Sequence, residues 1–156
     1  MSSIVVECKA DETMVRALLG QPRRAIIHQP NKGEVGNFLR KRQGLIAIVD
    51  EDPGSGQPAW LKPILESEHL HGIRSSPTVS GHHLVIVICP RLEEWVLSQA
   101  AACRLDPKLY GLPTDARSLH KEVTRRLDAW SSMLSELAVL RPSGVSRLQN
   151  LIPRET

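Results

Sequence analysis

Leu45-Ile46-Ala47-Ile48-Val49-Asp50-Glu51-Asp52 is the stretch on which the fold turns. Its apolar half has no polar alternation, which is the pattern of a strand covered on both faces. Its acidic half follows at once. In extended chain, residues two apart point the same way. Asp50 and Asp52 are therefore expected to face one ion together, with Glu51 turned away.

Upstream, Ile4 to Glu7 and Ala25 to His28 have the look of short strands. Between them Asp11 to Leu19 is predicted helical, with Met14, Val15, Leu18 and Leu19 on one face, and Gly20-Gln21-Pro22 ends it. Pro30-Asn31-Lys32-Gly33 forms a turn before a helix over Glu34 to Gln43. Val35, Phe38 and Leu39 face inward there, and Arg40, Lys41 and Arg42 sit at the helix end, where cations suit the dipole.

Downstream, Gly54-Ser55-Gly56 makes a flexible turn, Trp60 to Glu66 a short helix, and His69 to His83 an irregular stretch. Leu84 to Cys89 is a second fully apolar strand, followed by a helix over Arg91 to Arg104 with Leu92, Val96 and Leu97 inward. Asp106 to Thr114 is a connector. Leu119, Val123, Leu127, Trp130, Leu134 and Leu137 then recur at spacings of three and four, so Asp115 to Leu140 is one helix or two. Pro142 stops that run, and Ser143 to Leu151 adds a last turn.

Strands alternating with helices imply an α/β fold with a mostly parallel central sheet flanked by helices. In such sheets the functional site lies at the carboxyl ends of the strands. The acids gather there. Glu7 closes the first strand, Asp50 and Asp52 the third, Glu93 and Glu94 follow the fourth, and Asp11 opens the first helix. Clustered carboxylates repel one another unless protonated or holding a cation. Oxygen donors without a Cys/His set favour Mg²⁺ or Mn²⁺, with Ca²⁺ as a further fit. Acids in a first helical turn also serve the helix dipole, and Asp11, Glu12, Glu93 and Glu94 admit that reading as well.

Composition narrows the classes. The chain has 156 residues, 41% hydrophobic and 24% charged, which fits one globular domain and excludes a disordered or collagen-like chain. The longest apolar run is six residues, Leu84 to Cys89, so no membrane-spanning segment is expected. Met1 to Glu7 has no signal-like stretch. Cys8, Cys89 and Cys103 are odd in number and widely spaced, which points to reduced thiols in a cytoplasmic protein. Net charge is +3, permissive of nucleic acid without demanding it. Aromatic residues are 3%, too few for a single-strand stacking platform.

Ile4-Val5-Val6-Glu7-Cys8-Lys9-Ala10-Asp11-Glu12, followed by Val49-Asp50-Glu51-Asp52, resembles the Toprim domain, whose pattern is a Glu after the first strand and an Asp-x-Asp after the third. Val6 to Asp11 is similar to the Glu-Gly-Lys-x-Asp stretch of ribosomal-RNA maturation nucleases. Pro90-Arg91-Leu92-Glu93-Glu94-Trp95 resembles small standalone Toprim-like proteins, and overcoming-lysogenisation-defect nucleases share the fold. The resemblance covers about residues 4–100. It implies a Toprim-like α/β core over 1–104 and a helical C-terminal extension over 105–156 packed on the same domain.

For function the resemblance implies a Mg²⁺- or Mn²⁺-dependent phosphoryl-transfer enzyme, a nuclease acting on DNA or RNA. Glu7, Asp50, Asp52 and Lys9 would be catalytic, with Lys9 steadying the scissile phosphate. Glu7, Asp11, Asp50, Asp52 and Glu93 would hold metal. Lys32, Arg40, Lys41 and Arg42 would meet the nucleic acid, against the alternative of solvated helix faces. By analogy the company is a larger ATPase or a second copy of the chain. The departure from the family pattern is Cys8, where a glycine is usual and would allow a sharp turn. It keeps open a catalytically silent interaction subunit of a nucleic-acid-processing or defence complex. A receiver-like phosphoacceptor domain also places acids at strand ends, but it needs a hydroxyl residue after the fourth strand, where Cys89-Pro90-Arg91 stands, and a lysine after a fifth. The histidines at 69, 71, 82 and 83 lie in polar surroundings and are expected to be exposed, and His28 has no assigned role.

Overall fold

The computed structural model describes residues 2–78 and 80–152, so the last four positions of the expected extension, 153–156, lie outside it. A six-stranded sheet forms the centre, in the order β2-β1-β3-β6-β5-β4. Its strands are β1 (Ile4–Val6), β2 (Ile26–His28), β3 (Ile46–Asp50), β4 (His69–Leu70), β5 (Ile73–Pro77) and β6 (Leu84–Ile88). The first three and β6 run parallel. β5 pairs antiparallel with β6, and β4 antiparallel with β5.

The helices are α1 (Lys9–Leu19), α2 (Lys32–Arg40), α3 (Leu92–Ala102), α4 (Ala116–Glu122), α5 (Leu127–Leu140) and α6 (Ser143–Leu151). Among the described residues no helix is long and apolar enough to cross a membrane.

The period-two geometry of the central strands sorts side chains into two cores. Ile4, Val6, Ile48, Ile86 and Ile88 face one side, under α1, α3, α4, α5 and α6. Val5, Ala47, Val49, Val85 and Val87 face the other, under α2 and the Leu61–Ile64 segment. The expected central strands are thus covered on both faces.

The C-terminal helices belong to the first of these cores. Trp130 is fully buried on α5, and its indole Nε1 donates to the Ala10 carbonyl at 3.2 Å, locking α5 onto α1. Met133, Leu134 and Leu137 continue the same stripe. The long helical period is split in two by a 3-10 turn over Val123–Arg125, and Ser143–Leu151 is a full helix rather than a last turn.

Three further expectations change. The stretch from His69 to His83 holds two antiparallel strands, the two-residue edge strand β4 and its neighbour β5, concealed by the shortness of the one and by the Arg, Ser and Pro residues of the other. Trp60 to Glu66 is mostly turn, with a 3-10 helix only over Ile64–Glu66. His83 is buried: its Nδ1 accepts from the Leu45 amide at 3.0 Å, and its Nε2 donates to the Leu39 carbonyl at 2.7 Å.

Candidate functional site

The parallel strands deliver their acids to one edge. Glu7 follows β1, Asp50 is the last residue of β3, and Asp11 and Glu93 lie in the first turns of α1 and α3. Asp11 is only 4% exposed and Glu93 6%, so both are withdrawn from water at the N-terminal ends of their helices.

The cost of this crowding is visible in the acidities. Glu7 is pushed up from 4.5 to about 7, chiefly by burial and then by the Asp11 charge, against the pull of the Lys32 ammonium. Asp11 is raised by burial and by Glu93, with the Cys8 thiol holding it down. Asp50 is raised well above 3.8 by burial, then by Asp11 and Glu93, and the Leu92 amide acts the other way. One carboxylate oxygen of Asp50, Oδ1, is buried with no hydrogen-bond partner. Buried polar atoms are usually partnered, so this oxygen is an exception that calls for a reason.

Asp50 and Asp52 line a single cavity of about 550 Å³, together with Arg91, Glu93 and Glu94 and the α4 residues Arg117, His120 and Lys121. Glu51 turns away, 3.7 Å from Arg74. Asp50 and Asp52 thus open on one cavity and Glu51 does not, although simple strand alternation does not produce this. Asp52 has φ 50° and lies beyond the end of β3. Arg91 Nε donates to Asp52 Oδ1 at 2.8 Å and Arg91 Nη1 to Glu94 Oε1 at 3.0 Å. A larger open groove of about 850 Å³ near Glu12, Arg16, Arg23 and Arg24 lies outside this acidic cluster.

Cys8 does not distort the loop. Its backbone is extended, at φ −148° and ψ 173°, a conformation open to any residue, so the freedom of glycine is not used at this position. Its Sγ donates to Asp11 Oδ2 at 3.3 Å. Desolvation and the Asp11 charge push the thiol up to about 12, leaving it protonated and a poor nucleophile.

The cations are distributed differently from the sequence expectation. Lys9 is exposed at the first position of α1, and the cation that acts on Glu7 is Lys32. Lys32 Nζ is steered by the Glu51 carbonyl at 3.0 Å and Gln57 Oε1 at 3.2 Å. Asn31 caps α2 by accepting from the Glu34 amide, which fixes Lys32 at the carboxyl edge. Arg40, Lys41 and Arg42 are not brought to the acids. They end α2 near Gly44 and Gly81, at the opposite edge of the sheet, and Arg42 stacks over Phe38 at 3.8 Å.

Two partners in the site escaped the sequence reading. Arg91 could have been suspected from its place just before the Glu93-Glu94 pair. His120 could not, since its Nδ1 meets Glu93 Oε1 at 3.0 Å only through the packing of α4 on α3. His28 lies 3.1 Å from Glu12, outside the cluster.

The donor set suits a hard divalent cation through its buried carboxylates and the one Asp50 oxygen without a partner, while Asp11 and Glu93 already hold the Cys8 thiol and His120. As placed, among the described residues, no three His, Cys, Asp or Glu side chains form a ready ion-holding group. No protein family, curated protein or solved structure matches the chain.

Proposed function

We propose that this chain is a metal-dependent phosphoryl-transfer enzyme of Toprim-like fold, a nuclease acting on DNA or RNA. The observation that carries the reading is Asp50: a buried carboxylate with an unpartnered oxygen, repelled by Asp11 and Glu93. A cation is the simplest group that would relieve all of these at once. The four parallel strands, with a Glu after β1 and Asp-x-Asp after β3, support the Toprim-like part of the reading.

Asp50, Asp11 and Glu93 would hold Mg²⁺ or Mn²⁺, with Asp52 joining if Arg91 releases it. The bound ion would polarise a phosphodiester and activate water. Glu7, with its acidity set near 7, is suited to hold or pass a proton at its carboxyl oxygen near neutral pH. Lys32 would face the phosphate on the Glu7 side.

The alternative, a catalytically silent interaction subunit, draws on Arg91, whose guanidinium already neutralises Asp52. One experiment separates the two. Supercoiled DNA and structured RNA are incubated with the parent and with Asp50→Asn, in Mg²⁺, Mn²⁺ or chelator. Metal-dependent cleavage by the parent alone supports the enzyme. Cleavage that survives chelator or Asp50→Asn sinks the site assignment, and no cleavage of either substrate favours the silent subunit.

A further inference from the structure

Arg117 and Lys121 stand four residues apart on α4 and so share one helix face. Both are exposed and both line the cavity that holds Asp50 and Asp52. Two neighbouring arginines are committed elsewhere: Arg91 to Asp52 and Glu94, Arg126 to Glu122. Among the described residues, Arg117 and Lys121 form no salt bridge. The fold does not need them either. Leu119 anchors α4 in the core, and Asp115 caps the helix by accepting from the Ser118 amide.

Lys32 stands on the other side of the acids, its Nζ donating to the Glu51 carbonyl and Gln57 Oε1 but, among the described residues, in no salt bridge. It begins α2, which covers the sheet face opposite to that covered by α4. The carboxylates therefore lie between two separate sets of cations, one on each face of the sheet. A ligand with its charge at one point would use one set only. A chain of phosphates can run from one to the other across the carboxyl edge, past Glu7 and Asp50.

We infer that the site takes a polynucleotide strand laid across the carboxyl edge of the sheet, held by Lys32 on one face and by Arg117 and Lys121 of α4 on the other. The inference rests on the phosphoryl-transfer reading and adds to it the path of the strand and the α4 cations that hold it. It also gives the C-terminal helices a direct part in substrate binding.

The test is fluorescence anisotropy of a 5′-labelled single-stranded oligonucleotide across a salt series, in chelator so that no cleavage occurs. The double variant Arg117→Gln/Lys121→Gln is expected to bind more weakly, with the log K against log salt slope reduced by about 0.7 per lost phosphate contact. Lys32→Gln is expected to weaken binding in the same sense. Arg104→Gln/Lys108→Gln, beyond the far end of α3, is expected to bind as the parent does. Circular dichroism of each variant checks that it is folded. Parent-like binding by Arg117→Gln/Lys121→Gln overturns the inference, as does an equal loss in Arg104→Gln/Lys108→Gln. So does absence of binding by the parent, or displacement of the oligonucleotide by a nucleoside monophosphate at equal concentration. No metal is present, so failure here is distinct from failure of metal-dependent cleavage.

Discussion

Arg91 Nε donates to Asp52 Oδ1 at 2.8 Å, while Asp50, two residues earlier, keeps a buried oxygen with no partner. The two acids of the Asp-x-Asp are thus in opposite electrostatic states. One has its counter-ion built in, and the other is left among like charges.

That asymmetry predicts different responses to neutralisation. Asp50→Asn removes a buried charge repelled by Asp11 and Glu93, and should raise stability by about 1 kcal/mol, or roughly 2–4 °C in Tm, at pH 8 without metal. Asp52→Asn removes a compensated, partly exposed charge and should leave Tm within about 1 °C, since such pairs contribute little. Thermal melts of the two variants check this, and equal shifts would refute it.

Metal should reverse the order. A ligand that binds only the folded state stabilises by about 2.7 kcal/mol at a hundred times its Kd. Saturating Mg²⁺ or Mn²⁺ is expected to raise the Tm of the parent and to leave Asp50→Asn unmoved. A matching rise in both would place any metal elsewhere.

The acidities set a pH dependence with a definite sign. Glu7 titrates at about 7 when folded against 4.5 as an ordinary carboxyl, so between those values the folded state holds more protons. Its contribution is full below about pH 4.5 and is lost as pH rises through 7. Asp11 and Asp50 shift in the same direction. Without metal, Tm should fall from pH 5 to pH 7.5, and Glu7→Gln should make that fall shallower. Denaturant melts across the range give the slope.

Much of the site was legible because parallel strands force it. Once Leu45 to Val49 and Leu84 to Cys89 are taken as buried strands, the acids after them must share an edge. Leu119 to Leu137 likewise identified its own core face. What stayed hidden depends on contacts between distant segments. His120 reaches Glu93 across 27 positions, and His83 reaches Leu39 across 44. Lys32 acts on Glu7 from the first position of α2, where the sequence pattern had a turn, because Asn31 caps the helix earlier than its apolar residues suggest. β5 went unseen because Ile73 to Pro77 carries polar residues, which a strand next to the edge tolerates where the two-residue β4 leaves Ser75 to Pro77 open on one side.

His83 offers a test of the second core. It closes hydrogen bonds to the Leu45 amide and the Leu39 carbonyl, so it joins the end of α2 to the start of β3. His83→Ala would strand both groups and should cost about 1–3 kcal/mol in urea unfolding. His82→Ala, at an exposed neighbour, should cost less than about 0.5 kcal/mol.

The indole of Trp130 held against Ala10 bears on how the chain can be divided. Residue 104 ends the strand-and-helix part of the sequence, yet a fragment stopping there would leave the apolar side of α1 bare. Met14, Val15 and Leu18 would lose the surface that covers them. Such a piece has the makings of an aggregate rather than a minimal enzyme. The unit that folds, and therefore the unit that can be trimmed, swapped or fused, extends through the C-terminal helices.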